Sequence, residues 1–348
     1  MHNSEMPANA KIVIQGDGVA AQCCARLLTA AGSSVERRGA QRPRLPVIMI
    51  GASTQVLFQD AFETPKLFEG LHPIRHRVVA WGTGGTHDLP HSAVAVDEAT
   101  LLARLQFDAP TPEPGEPDWT ILAARQEGQK LPVQEFGKRV AFSLPVALSG
   151  TSDPFSGWVE SVENGWLFLV SNAVGRAWLL GVGGTPEALL DSSKLVRAQV
   201  AETLGEAQQF PAHPRICWPP CGPGWLACGS GALAFDPLCG DGSGYAIREA
   251  ILAAAVVKAS AAGLDPEELA AHYRTRMLAG FQKHLQVCES FYQTGGSTPW
   301  WKAQAQSARD GVRWCEAELK LQPPFRFMLR GFDLIRLAYS RLLPSSAV

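Results

Sequence analysis

The stretch Lys11-Ile12-Val13-Ile14-Gln15-Gly16-Asp17-Gly18-Val19-Ala20-Ala21 decides how this chain begins to fold. Residues 11–14 are a short apolar run, the pattern of a buried parallel strand. Gly16 and Gly18 break the run. Residues 19–31 then carry Ala20, Cys24, Leu27, Leu28 and Ala31 at helical spacing, and Gly32 stops the helix. Residues 34–37 follow as a second strand. The G-x-G-x-x-A spacing has a physical reason: Gly16 permits a tight turn, Gly18 lets a pyrophosphate approach the backbone, and Ala21 lets the helix pack closely on the strand. The helix start offers N–H groups and the positive end of its dipole to the phosphates. Glu36, 20 residues after Gly16, is placed to accept the hydroxyls of an adenosine ribose, while Arg37 and Arg38 leave a 2′-phosphate open. The competing reading is a glycine turn in an unrelated α/β protein, with Glu36 a solvated acid.

A second glycine-rich stretch, Gly229-Ser230-Gly231-Ala232-Leu233-Ala234-Phe235-Asp236-Pro237-Leu238-Cys239-Gly240-Asp241-Gly242-Ser243-Gly244, returns more than 200 residues later. It lies between a strand at 225–228 and a long helix from about 244 to 261. A nicotinamide enzyme with one dinucleotide fold has no need of such a return. FAD does, because it is extended and its ring end requires its own loop. A helix start behind that loop can stabilise negative charge on a reduced flavin ring.

Between the two motifs the pattern changes. Residues 46–50 read as a strand followed by a helix, 76–82 as a strand, 96–105 as a helix with Asp97 and Glu98 in its first turn, and 119–123 as a short strand. Residues 140–146, 158–162, 166–171 and 176–181 read as antiparallel strands, with Asn164-Gly165 as a hairpin turn. From Asp265 the chain reads as helical, interrupted at 295–299 and at Pro323-Pro324. The expected fold class is α/β: an FAD-binding Rossmann-like parallel-sheet domain, an antiparallel-sheet substrate domain and a helical C-terminal region. The expected division is 1–45, 96–130 and 222–264 for the cofactor, 46–95 and 131–221 for the substrate, and 265–348 for the C-terminal helices.

The chain has 348 residues, 46% hydrophobic and 18% charged, enough for a sizeable core. A net charge of −2 gives no electrostatic reason to expect nucleic acid. The polar start does not resemble a secretory signal. The longest apolar candidate, 250–263, is too short to span a bilayer. Eight scattered cysteines fit a reduced, cytoplasmic setting; Cys217, Cys221 and Cys228 follow no zinc spacing, and no metal is expected.

The pair of glycine motifs resembles the FAD-dependent monooxygenase and flavin-dependent halogenase superfamily with the para-hydroxybenzoate-hydroxylase-like fold. Gly16, Gly18, Ala21 and Glu36 match its ADP-binding part, and Gly229, Asp236, Pro237, Gly240 and Gly242 match its late flavin loop, with Ser230 and Asp241 inside that loop. The strand at Gly165-Trp166 and the helix carrying Tyr273, Arg274, His284 and Leu285 resemble further parts of the family. The resemblance implies that all eleven of these motif residues, Ser230 and Asp241 included, bind FAD. Ser230 stands where the family carries Asp, so the hydroxyl makes a weaker bond to a ribityl oxygen than a carboxylate would. The family's middle D-G motif is absent where Arg125-Gln126-Glu127-Gly128 stands, which leaves open whether NAD(P)H or a separate reductase supplies electrons. The halogenase W-x-W-x-I-P signature is also missing at Trp166-Leu167-Phe168-Leu169-Val170. The string from Asp236 to Gly242, with Arg248-Glu249-Ala250-Ile251-Leu252 behind it, resembles a subgroup that matures tryptophan-derived quinone cofactors in partner proteins.

Three functions stay open on this reading. One is an FAD-dependent monooxygenase hydroxylating a small aromatic or apolar substrate. The second is a maturation flavoenzyme acting on a tryptophan of a polypeptide. The third is a flavin-binding protein without catalysis. No catalytic side chain is assigned. Trp158, Trp166 and Trp178 read first as packing residues, His72 and His76 as strand or loop histidines able to assist proton transfer, and residues 81–86 as a hairpin loop. Trp300-Trp301 covers a pocket or caps the helical region. Residues 325–343, basic and amphipathic, read as a C-terminal helix packed on its own domain, with a membrane or partner contact as the alternative.

Overall fold

The computed structural model describes residues 10–39, 43–125 and 131–337. Its helices are α1 (Val19–Ala30), α2 (Ala52–Phe62), α3 (Glu98–Arg104), α4 (Pro186–Asp191), α5 (Leu195–Gln199), α6 (Gly242–Ala261), α7 (Pro266–Thr294) and α8 (Pro299–Lys320).

The first sheet has five strands in the order Cys221–Gly222, Trp225–Ala227, Trp119–Leu122, Lys11–Gln15, Ser34–Arg38. The last four run parallel, with Ile12 opposite both Trp119 and Val35, and Ile121 opposite Leu226. Ile12, Ile14, Ile121 and Leu226 are all buried, as a sheet covered on both faces demands. Helices α1 and α6 pack together in the core shared with this sheet, through Cys24, Leu28, Ala250 and Ala254 among others.

The second sheet has nine strands. Along it run Val200–Thr203, Val140–Leu148, Arg176–Val182, Gly165–Ala173, Ser156–Val162, His72–Ala80, Thr86–Val96 and Ile48–Gly51; Gln208–Pro211 also pairs with Val140–Leu148. Every pairing is antiparallel except His72–Ala80 with Ser156–Val162, which is parallel. The expected antiparallel sheet is present and larger than its four legible strands. The turn before Gly165 is Glu163-Asn164, one residue earlier than the Asn-Gly reading, and Gly165 opens the strand. A Cβ there would lie 2.3 Å from the Val182 carbonyl oxygen, so close strand approach requires glycine at this position.

Helices α7 and α8 form an antiparallel pair against both sheets. Trp301, at the start of α8, is fully buried, and its indole N–H donates to the carbonyls of Val162 and Glu163.

The C-terminal reading is corrected. Phe327–Arg330 and Asp333–Arg336 form a two-stranded hairpin, not a helix. The alternation of Phe327, Leu329 and the arginines, with Gly331 at φ +59°, suits a hairpin turn, and Pro323-Pro324 prevents α8 from continuing. Arg341 and Leu342 of the same expectation, and residues 126–128 of the missing middle motif, lie outside the described residues.

Candidate functional site

The two glycine motifs meet at the carboxyl ends of two parallel strands that flank Trp119–Leu122, the place where open α/β sheets bind ligands. Gly16, at φ +133°, turns the chain after the first strand; a Cβ on it would lie 3.0 Å from the backbone nitrogen of Ala124. Its N–H donates to the Arg38 carbonyl at 2.8 Å, tying the turn to the end of the second strand. Gly18 is the N-cap of α1, in extended conformation and with no side chain capping the helix. The first turn has no acidic residue and offers Val19, Ala20 and Ala21, so its N–H groups present an uncluttered anion site. Ala21 is fully buried, in contact with the core as its motif position requires.

Gly229, at φ +52°, begins a single 3₁₀ turn directly behind the Trp225–Ala227 strand. A Cβ there would lie 2.6 Å from the Ala20 Cβ, and a Cβ on Gly231 would lie 2.1 Å from the Leu122 carbonyl oxygen. The late loop is therefore seated on the first helix and the neighbouring strand with no room for side chains. Ser230, between these glycines, is exposed. Further on, a Cβ on Gly240 or Gly242 would meet nothing within 4 Å, so this backbone faces open space that a bound group can occupy. Helix α6 begins at Gly242, earlier than the expected Gly244, and no side chain caps its first turn.

The acids of the motifs are placed differently from one another. Glu36 stands opposite Val13 and is bound by Arg38 at 2.8 and 3.1 Å; that hydrogen bond lowers its pKa. Asp241 accepts from Thr54 Oγ1 of α2 at 3.0 Å and pairs with Arg248 of α6 at 2.8 Å. Asp236 is buried and turned into the protein. Its carboxylate pairs with Arg139 at 2.9 Å, accepts from the Tyr292 hydroxyl at 2.8 Å and accepts from the Leu238 N–H at 3.0 Å, while its own N–H donates to His284 Nε2 at 2.9 Å. Pro237 follows it as the first residue of a short 3₁₀ turn, Pro237–Cys239.

This network joins the late loop to the second sheet. Arg139 precedes Val140–Leu148, stacks over the Tyr292 ring at 4.8 Å and donates to Gln304 of α8. Trp166 Nε1 lies 3.4 Å from the Tyr292 hydroxyl. Burial, reinforced by the Asp236 carboxylate, pushes the Tyr292 phenol well up, so it stays a donor. Beside the network stands an aromatic wall: Trp81 packs edge-on against Trp301 (5.4 Å) and Phe291 (6.0 Å), and Trp300 against Trp301 (4.8 Å). The loop at 81–86 is the expected hairpin loop, and Gly82 in it approaches α7 closely, its built Cβ 2.2 Å from the Thr294 carbonyl oxygen.

Trp158 and Trp166 are buried packing residues. His72 Nε2 lies 2.7 Å from the Pro154 carbonyl, and His76 pairs with Asp88. Two features had no weight in the sequence reading. One is Arg139, an isolated arginine before a strand. The other is the cluster of Cys239, His284 and Cys288, whose ligand atoms lie within 4.8 Å of one another; the i, i+4 spacing of His284 and Cys288 on one helix was its only sequence signal.

No protein-family model and no curated protein matches the chain. Solved structures do. QhpG, described as a peptidyl tryptophan dihydroxylase essential for tryptophylquinone cofactor biogenesis, is 17% identical with a TM-score of 0.70, over 95% of this chain and 86% of its own. CmlS, a flavin-dependent halogenase, is 16% identical with a TM-score of 0.71, over 90% and 72%. HpxO of Klebsiella pneumoniae, a variant solved in complex with FAD, is 14% identical with a TM-score of 0.56, over 90% and 99%. The chain has the fold of the flavin-dependent halogenases and FAD monooxygenases.

Proposed function

We propose that the chain is an FAD-dependent oxidoreductase of the monooxygenase type. The observation that carries this reading is the seating of Gly229 on Ala20, which brings two separate glycine turns to one place at the carboxyl ends of the two parallel strands on either side of Trp119–Leu122. Gly16, Gly18 and Ala21 hold the pyrophosphate, and Glu36 takes the ribose once it exchanges its Arg38 partner. Gly229, Ser230, Gly240, Asp241 and Gly242 line the ribityl and ring end. Asp236 and Pro237 shape that loop from behind. Residues 1–45, 96–130 and 222–264 hold the cofactor, and 46–95 and 131–221 hold the substrate. When bound, FAD supplies the activation of dioxygen for insertion into an aromatic or apolar substrate. The chain's own part is to bind, orient and exclude water, for which the apolar wall of Trp81, Trp300 and Trp301 is suited. Reduced nicotinamide or a separate reductase provides the electrons.

A second reading has a specific observation behind it. The fold likeness that covers most of this chain includes an enzyme described as acting on a tryptophan within a peptide. On that reading the substrate is a tryptophan of a partner polypeptide. No helix of the described residues is long and apolar enough to cross a membrane, and a cytoplasmic setting is part of the proposal.

The test is the visible absorption spectrum of the purified protein before and after adding FAD. Flavin bands that travel with the protein, and vanish in Gly18→Leu, are expected; a colourless protein that takes up no FAD overturns the flavin reading. Oxygen uptake with free aromatics, against turnover only with a bound polypeptide, separates the two substrates.

A further inference from the structure

We propose that Cys239 and Cys288 form a peroxide-sensitive dithiol, with Cys239 the thiol that is oxidised and Cys288 the thiol that resolves it. The two sulfurs are 3.7 Å apart, 49 residues apart in sequence, and join the late glycine loop to α7. Their access differs: Cys239 is half-buried, while Cys288 is fully buried. His284 Nε2, which accepts the Asp236 N–H, also lies 3.3 Å from Cys288 Sγ, and burial pushes the Cys288 thiol well above its usual range, so Cys288 keeps its proton until it attacks. The hydrogen bond from Cys288, together with His284, holds the Cys239 thiol below its usual range, at about 6, against the opposing effect of burial. Bond formation needs the sulfurs to close to about 2 Å. Cys239 sits on a single 3₁₀ turn bounded by Gly240 at φ +63°, not within a long helix, so the shift falls on a short segment.

The chemistry balances with hydrogen peroxide as the oxidant. The Cys239 thiolate attacks one peroxide oxygen, the O–O bond breaks, hydroxide leaves, and the sulfur, two electrons poorer, becomes a sulfenic acid. Cys288 then attacks that sulfur; the S–S bond forms, the S–O bond breaks, and the departing hydroxide and the Cys288 proton leave as water. Two thiols and one peroxide give one disulfide and two waters. An enzyme that activates dioxygen generates peroxide whenever insertion fails, so the source of the oxidant, though not the site, rests on the flavin reading.

A second thiol pair provides an internal comparison. Cys24 and Cys228 are 3.8 Å apart, but both are fully buried, and the hydrogen bond between the two thiols, followed by burial, pushes Cys228 well above the usual range. Contact without access leaves that pair reduced.

The experiment adds hydrogen peroxide directly to the reduced full-length protein, so its result does not depend on flavin binding. After alkylation and digestion, the expected product is a linked pair of peptides carrying Cys239 and Cys288, with a loss of about 2 Da in the intact protein and with Cys24 and Cys228 alkylated. Cys288→Ser should leave Cys239 as a sulfenic acid captured by a dione reagent, and Cys239→Ser should form no link. Cys239 and Cys288 still alkylable after peroxide, or a link through Cys24 and Cys228 instead, overturns the proposal. One zinc per chain in the untreated protein, absent from Cys239→Ser, overturns it too, because the cluster would then be a metal site. The wild-type peptide map decides even where a serine variant fails to fold.

Discussion

Gly229 and Ala20, more than 200 residues apart in the chain, meet so closely that a single carbon added to Gly229 would lie 2.6 Å from the Ala20 side chain. Helix α1 and the late loop are thus fitted to each other at one point, and Gly229 also needs its positive φ. Gly229→Ala is expected to lower stability by ~1–3 kcal/mol through overlap and backbone strain. In an FAD titration it should also weaken binding, because the loop can no longer settle on α1. Thermal unfolding with and without FAD measures both.

The buried pair of Arg139 and Asp236 has side-chain exposures of 2% and 0%. Removing one partner leaves a charge stranded in the core, at a cost of about 3–5 kcal/mol. Asp236→Ala and Arg139→Leu should each show that loss in urea unfolding. The double variant should lose less than the sum of the two, because neither charge then remains alone.

Glu249, on α6, is buried, and among the described residues no cation pairs with its carboxylate. Burial raises its pKa well above the usual carboxylate value. Because the folded-state pKa exceeds the unfolded one, stability declines as pH rises above about 4.5 towards the folded value. Glu249→Gln is expected to be more stable than the wild type at pH 8, with the difference shrinking at pH 4.5. Unfolding midpoints at the two pH values give the answer.

His272 has the opposite dependence. Burial and the neighbouring Arg276 lower its pKa to about 4, and the imidazole is packed edge-on near Phe325 and Phe327. The unfolded chain therefore takes up the proton first as pH falls. Stability drops from about pH 6.5 down to about 4 and is fully present above that window. His272→Gln should flatten this part of the stability–pH curve.

Glu268 of α7 binds both Arg326 and Arg336, side by side at the open end of the terminal hairpin. These are partly exposed pairs, worth about 0–1 kcal/mol each, so Glu268→Ala should barely move the global midpoint. Amide exchange across Phe327–Arg330 and Asp333–Arg336 should nevertheless speed up, because this sheet has only two strands.

The parallel sheet was legible because its strands are buried on both faces and its turns use glycines at fixed offsets; Gly16, Gly18 and Gly229 lie where the motif spacing puts them. The middle strands were legible through turn residues and alternation. The hairpin at Phe327–Arg336 was not, since basic and apolar residues mix there in a way that satisfies both a helix period and a strand period. Arg139 was also illegible. Nothing in its neighbours along the chain announces a buried cation, and its partner Asp236 arrives 97 residues later. Motif matching assigned Asp236 to the cofactor loop, yet its carboxylate faces Arg139 and Tyr292. A motif records which residue recurs, and the backbone decides which way it turns.

The one parallel pairing in the nine-stranded sheet, His76 opposite Ser156, joins residues about 80 apart, and the intervening chain includes Trp119–Leu122 of the other sheet. The hairpin from His72 to Val96 therefore cannot find its neighbour until the chain has passed through the first sheet and come back. Such long closures slow folding and couple the two layers in time. A chain stopped short of Ser156 would leave the nine-residue strand His72–Ala80 with a bare edge, ready to pair with another molecule. The nine-stranded layer is on this account not a module that can be cut out and transplanted; it exists only as an extension of the five-stranded one.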